Sequence, residues 1–134
     1  MPRSTSSSPI AIDASALVEL LLQTPAGRTV AGVVVGRRLI APDIVNAEVV
    51  QSLRGLERGG KVSGRRAGEA IVRLADSPVA RVPTTGLIAE VWSLRFNLSA
   101  YDACYVALAR VLGCPLLSTD APLKRLPSLG VTFL

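Results

Sequence analysis

The sequence predicts a three-layer α/β/α domain around a mostly parallel sheet, and three observations lead there. Short, mostly apolar runs recur at Ile10–Ile12, 39–41, 79–82 and Leu116–Leu117, with Arg81 the one charged residue among them. That is the pattern of strands buried on both sides. Segments of helical periodicity separate them. Strand and helix then alternate along the whole chain, as they do when crossover helices join parallel strands.

Taken in order, Asp13 closes the first strand, and 14–23 follows as a helix with Leu17, Leu20 and Leu21 on one face. Thr24-Pro25 reads as an N-cap followed by proline at the first helical position. That second helix is expected to run to about Val35, where Gly36 ends it. After the second strand, Pro42 is expected to open a long helix carrying Ile44, Val45, Val49 and Leu53 inward, broken near Arg58 by Gly59-Gly60. Ser63 starts the next helix, to about Ala75, and Asp76-Ser77-Pro78 turns the chain into the third strand. Thr84 or Thr85 is expected to cap a helix running through Trp92 to Arg95. Ser99 caps the helix after it, with Asp102 at the third helical position, the spacing of a capping box. Gly113 and Pro115 stop that helix. Thr119-Asp120 stands at the carboxyl end of the fourth strand, Pro122 to Arg125 forms a short turn, and 131–133 is a final strand.

A chain of 134 residues suits one domain with a single sizeable core. Residues 1–9 are polar and Ser-rich and are expected to form a disordered tail, leaving 10–134 as the domain. The tail lacks the apolar core of a signal peptide, no apolar run reaches membrane-spanning length, and a cytoplasmic protein is expected. Histidine is absent, which excludes a Ser-His-Asp triad, a Cys-His dyad and zinc-finger spacing. Cys104 and Cys114 lie among apolar residues and read as two free buried thiols. The net charge is +5 and nearly all the basic residues are arginine. Arginine favours bidentate contact with phosphate or carboxylate, so nucleic acid and an acidic protein are both open as partners.

Four acids stand out among the ten in the chain. Asp13 and Asp120 each follow a strand, and on a parallel sheet those ends share one rim. Asp102 opens the helix leading into the fourth strand. Glu48 interrupts an otherwise apolar helical face one turn after Ile44 and Val45. Each could serve only its own helix end, where a negative charge is favourable. Together they converge on one edge with no Lys or His beside them. Clustered carboxylates raise one another's pKa, and a hard cation such as Mg²⁺ or Mn²⁺ relieves that repulsion. Such an ion activates water for attack on phosphodiesters. The Thr119 hydroxyl is a candidate for orienting water or ligand beside Asp120.

In these residues the chain resembles the PIN-domain family, and within it the VapC-type ribonuclease toxins of toxin–antitoxin pairs. The segments that carry the likeness begin at Ile10-Ala-Ile-Asp13, Ala41-Pro-Asp-Ile-Val-Asn-Ala-Glu48, Ser99-Ala-Tyr-Asp102 and Gly113-Cys-Pro-Leu-Leu-Ser-Thr-Asp120. The resemblance implies a five-stranded parallel sheet, Mg²⁺- or Mn²⁺-dependent endoribonuclease activity, a homodimer, and inhibition by a small VapB-type antitoxin. Asp13, Glu48, Asp102 and Asp120 match the family's acidic quartet.

Other α/β families fit less well. A phosphoacceptor receiver domain needs paired acids after the first strand, and Asp13 is alone. A haloacid-dehalogenase-type phosphatase needs a second Asp two residues on, where Ser15 stands. A non-catalytic RNA- or protein-binding module whose acids only cap helices remains as the alternative. Around the Gly59-Gly60 break, Arg54, Arg58, Lys61, Arg65 and Arg66 form a basic cluster. It could track RNA phosphates, contact an antitoxin, or be a solvated helical pair.

Overall fold

The computed structural model describes residues 9–126 and 129–134. The tail expected over 1–9 lies outside the described residues except for Pro9.

Four parallel strands form the sheet: β1 (Ile10–Ile12), β2 (Leu39–Pro42), β3 (Ala80–Val82) and β4 (Leu116–Leu117), in the order β3-β2-β1-β4. The central strand β1 is wholly buried. It pairs with β2 through Ile10↔Leu39 and with β4 through Ala11↔Leu116 and Ile12↔Leu117. Around the sheet lie α1 (Ala14–Leu22), α2 (Pro25–Val34), α3 (Val45–Arg58), α4 (Gly64–Asp76), a 3₁₀ turn (Thr84–Leu87), α5 (Ile88–Ser93), α6 (Ala100–Leu112) and α7 (Ala121–Lys124). α1 packs with α2, α3 and α4, while α6 packs with α5 and on β1 and β2. The core between these layers is almost entirely aliphatic, from Ile10 and Ile12 through Leu17, Val45, Val49 and Leu53 to Val106, Leu108 and Leu116.

Local chemistry sets the helix ends. Thr24, Ser63 and Ser99 each accept a backbone N–H with their side-chain oxygen at an N-cap, and Pro25 follows Thr24. Gly113 closes α6 in the left-handed region at φ 63°. Gly27 serves close packing instead: a Cβ there would lie 1.9 Å from the Glu19 carbonyl oxygen, so only glycine lets α2 approach α1 this tightly. The last carbonyls of α1 take donors from α4. Arg66 donates to Leu22 O at 2.9 Å and Arg73 to Leu21 O at 2.9 Å, satisfying groups that a helix end leaves unpaired.

Three expectations change. Pro42 does not open a helix; it ends β2 opposite Val82, and α3 begins at Val45. Proline's fixed φ suits an extended strand end, and the next residue supplies the sheet bond, Asp43 N–H to Val82 O at 2.8 Å. Neither Thr84 nor Thr85 caps a long helix; they lie in the 3₁₀ turn, and α5 stops at Ser93. The fifth strand is reduced to a single parallel bridge, Leu116↔Phe133, flanked by hydrogen bonds from Leu116 N–H to Thr132 O and Leu134 N–H to Leu116 O. β4 has only two residues, so its outer edge cannot carry a longer ladder.

Among the described residues no helix is long and apolar enough to cross a membrane. Cys104 and Cys114 are both free and buried, as expected, and burial pushes both thiols up.

Candidate active site

The strands β1, β2 and β4 are parallel neighbours, so their carboxyl ends open on one rim, the usual place for a ligand in an open α/β sheet. Asp13 directly follows β1, and its N–H donates to Leu117 O at 3.1 Å, locking it to the end of β4. Asp120 comes three residues after β4. Glu48 is in the first turn of α3 after β2, and Asp102 is in the first turn of α6. All four line a single cleft of about 450 Å³, together with Ser15, Gln51, Ser52, Tyr101 and Tyr105. The four acids expected to converge are brought together.

Each carboxylate is held differently. Asp13 is only 5 % exposed. Its Oδ1 accepts from Ser15 Oγ at 2.7 Å and from Ala16 N–H at 3.0 Å, capping α1. Burial is the strongest influence on Asp13 and raises its pKa; the Asp120 charge adds to the rise, while Ser118, Ser15 and Ala16 oppose it by hydrogen bonding. Glu48 accepts a short hydrogen bond on Oε1 from the Tyr105 hydroxyl. Its pKa is also raised, first by burial and then by the Asp102 and Asp13 charges, against the lowering effect of Tyr105. The Tyr105 phenol is itself pushed far up by burial and by Glu48, so it stays protonated and donates. Asp120 accepts from Leu123 N–H at 3.0 Å and caps α7.

Asp102 is the exception. The expected capping box is half formed: Asp102 N–H donates to Ser99 Oγ at 3.1 Å. Among the described residues no hydrogen bond reaches the Asp102 carboxylate. Its pKa is raised by burial and then by the charges of Asp120 and Asp13, with nothing opposing the rise. This carboxylate is aimed into the cleft without being used by the fold.

Two serines that sequence reasoning passed over tie the rim together. Ser15 Oγ donates to Asp13 and accepts from Thr119 N–H at 3.0 Å. Ser118 Oγ accepts from Asp120 N–H at 2.9 Å. Tyr105 was missed too, although it lies three residues after Asp102 and so shares its helix face.

Other candidates lie elsewhere. Thr119 is exposed and lines a separate groove with Lys124 and Leu134. Asp120 lines the acidic cleft, whereas Thr119, one residue earlier, does not. None of Arg54, Arg58, Lys61, Arg65 and Arg66 lines the acidic cleft. Arg66 is committed to Leu22 O, and Arg65 pairs with Glu69 at 3.6 Å on the surface. Arg54, Arg58 and Lys61 are exposed.

The donor chemistry suits a hard divalent cation: carboxylates, hydroxyls and a side-chain amide face one cleft, and among the described residues no Lys or Arg lines it. Among the described residues no three acids stand close enough to hold an ion between them directly. Mg²⁺ is commonly held through one or two carboxylates while keeping several waters, so the set fits that mode of binding.

Comparison with known proteins agrees with this geometry. The profile of the PIN domain matches residues 10–129. A VapC ribonuclease from Mycobacterium bovis is 42% identical over 118 residues, covering 86% of this chain and 88% of that protein. The fold is that of the crystal structure of PAE2754 from Pyrobaculum aerophilum, with a TM-score of 0.69 at 20% identity, over 94% of this chain and 83% of that one. It is also similar to a chain of VapBC2 from Rickettsia felis, solved bound to a DNA fragment from their promoter, with a TM-score of 0.64 at 12% identity, over 93% of this chain and 96% of that one. With the acidic rim, the match over nearly the whole domain and a relative this similar, the chain belongs to the PIN-domain family, in its VapC-type branch.

Proposed function

We propose that this chain is a Mg²⁺- or Mn²⁺-dependent endoribonuclease, the toxin of a toxin–antitoxin pair, acting on RNA in the cytoplasm. The observation that carries the reading is the convergence of Asp13, Glu48, Asp102 and Asp120 on one cleft that, among the described residues, no Lys or Arg lines. The relatives named as VapC ribonucleases support the reaction class. A bound Mg²⁺ or Mn²⁺ supplies charge to offset the carboxylates and lowers the pKa of water for attack on the phosphodiester.

The chain's own residues prepare that cleft. Ser15 holds the Asp13 carboxylate and Ser118 the Asp120 backbone N–H, and Ser15 reaches across the β1–β4 seam to Ser118 and to the Thr119 N–H. Tyr105 holds one oxygen of Glu48. Asp102 is the acid whose carboxylate has no hydrogen-bond partner among the described residues, and so the greatest freedom to take a ligand.

The test is cleavage of a cellular RNA pool by the purified chain. Cutting is expected with millimolar Mg²⁺, stopped by EDTA, and restored by excess metal. A VapB-type antitoxin added beforehand is expected to silence it. The competing binding module, whose acids only cap helices, would leave the RNA intact under every one of these conditions.

The finer reading includes a homodimer. Ile88, Trp92 and Phe96 follow one another at four-residue spacing and are 62%, 65% and 83% exposed. The Arg95 guanidinium lies 4.5 Å from the Trp92 ring centroid and 4.3 Å from that of Phe96. We assign this apolar face to contact with a second copy. Light scattering is expected to give twice the chain mass, falling to one chain for Trp92→Asp; a parent of single-chain mass contradicts the assignment.

A further inference from the structure

The acidic cleft leaves a binding problem that its carboxylates cannot solve. RNA phosphates are repelled by Asp13, Glu48, Asp102 and Asp120, and among the described residues no Lys or Arg lines the cleft to attract them. The exposed basic residues of α3 and α4 lie outside it. Affinity at the reacting end therefore needs an uncharged source in addition to the cation. RNA offers one, because every unpaired base has a π-face that stacks on aromatic side chains whatever its sequence.

Among the described residues two aromatics line the cleft, Tyr101 and Tyr105. Tyr105 is 2% exposed and spends its hydroxyl on Glu48, so it offers no face to a ligand. Tyr101 is the opposite case. It is 63% exposed, at the second position of α6 and directly before Asp102. Among the described residues its hydroxyl makes no hydrogen bond. α6 packs through Ala103, Tyr105, Val106, Ala107 and Leu108, and Tyr101 adds nothing to that buried face. The ring therefore stays available to a ligand at the lip of the cleft.

We infer that Tyr101 is the base-stacking residue of this cleft. Its ring takes an unpaired nucleobase next to the phosphate that is cut, and its place beside Asp102 sets that phosphate against the acids. The ligand class is single-stranded RNA, because the bases of a duplex already stack on one another and present no free face. Stacking is tolerant of sequence, so Tyr101 selects for unpaired bases rather than for a particular base. This rests on the ribonuclease reading above.

The experiment compares the parent, Tyr101→Leu and Tyr101→Phe on one short single-stranded RNA with saturating Mg²⁺. Leucine keeps apolar bulk but removes the π-face; phenylalanine keeps the face and removes the hydroxyl. The expected result is a KM raised roughly tenfold in Tyr101→Leu, with kcat and melting temperature close to the parent's, and parent-like constants in Tyr101→Phe. Parent-like KM in Tyr101→Leu overturns the inference. So does an equal loss in both variants, which would assign the effect to the hydroxyl. A fall in kcat alone also overturns it, since Tyr101 would then act on Asp102 and not on a base. A parent that cuts no RNA with Mg²⁺ sinks the ribonuclease reading and this inference with it, an outcome distinct from the others.

Discussion

Asp102→Asn is expected to abolish RNA cleavage while leaving the fold as stable as before, or more so. The substitution is nearly isosteric. The cap of α6 does not depend on the carboxylate, because the bond runs from the Asp102 N–H to Ser99 Oγ, and asparagine keeps that N–H. What disappears is a charge whose pKa is raised by burial and then by Asp120 and Asp13. Removing it relieves repulsion in the metal-free protein, so the melting temperature in EDTA should match or exceed the parent's. The same removal takes away the one acid of the cleft whose carboxylate has no hydrogen-bond partner among the described residues. Reactions that rely on metal-activated water draw several kcal/mol from it, so the loss of rate should be on the order of a thousandfold or more. Melting in EDTA and single-turnover cleavage in Mg²⁺ check the two halves on one preparation. Parent-like cleavage would return Asp102 to the role of a helix-end acid.

A second large effect is expected in how melting temperature depends on pH and on metal together. The folded-state pKa values of Asp13, Glu48 and Asp102 are all raised above the ordinary 3.8 for Asp and 4.5 for Glu, burial being the first cause for each. The folded state therefore binds protons more tightly than the unfolded state. That contribution to stability is fully present below the ordinary carboxylate pKa and is lost as pH rises through the raised folded values. At neutral pH the metal-free protein carries three carboxylates that would be more stable neutral. A divalent cation binds only their ionised forms, so its stabilisation should be largest near pH 7 and fade toward pH 4. At a hundredfold excess over Kd, ligand binding to the folded state alone is worth about 2.7 kcal/mol. For a domain of this size that is a rise of about 10 °C. Melting curves with and without Mn²⁺ at several pH values measure it. A rise of equal size at pH 4 would place the metal elsewhere on the protein.

How much of this was legible in the sequence follows from how local each feature is. The caps at Thr24, Ser63 and Ser99 need only neighbouring residues, and they stand where the sequence puts them. The four acids were legible because strand ends on a parallel sheet share a rim, so topology alone brings Asp13 and Asp120 together. The contact from Tyr105 to Glu48 spans 57 residues and depends on how α3 meets α6; no spacing rule predicts it. Ser15 and Ser118 bond across the β1–β4 seam, a pairing fixed by the register of Ile12 with Leu117. Thr119 stands next to Asp120 yet lines another groove, and adjacency in sequence does not show which groove a side chain enters. The arginine surplus suggested a ligand, yet much of it serves the fold. Arg66 and Arg73 bind the end of α1, and Arg81 donates to Leu74 O at 2.7 Å and to Ser77 O and Val79 O at 2.9 Å, pinning the turn into β3. Composition counts charges but does not say which of them a carbonyl has already claimed.

The central claim is that the acidic cleft holds the divalent cation that RNA cleavage requires. A single Mn²⁺ titration tests it most directly, with metal binding followed by calorimetry and cleavage rate followed on the same protein. Binding and cleavage should rise along one curve with a common midpoint, and both should vanish in Asp102→Asn. Cleavage that persists in metal-free protein, or Mn²⁺ binding that survives Asp102→Asn unchanged, would contradict the account.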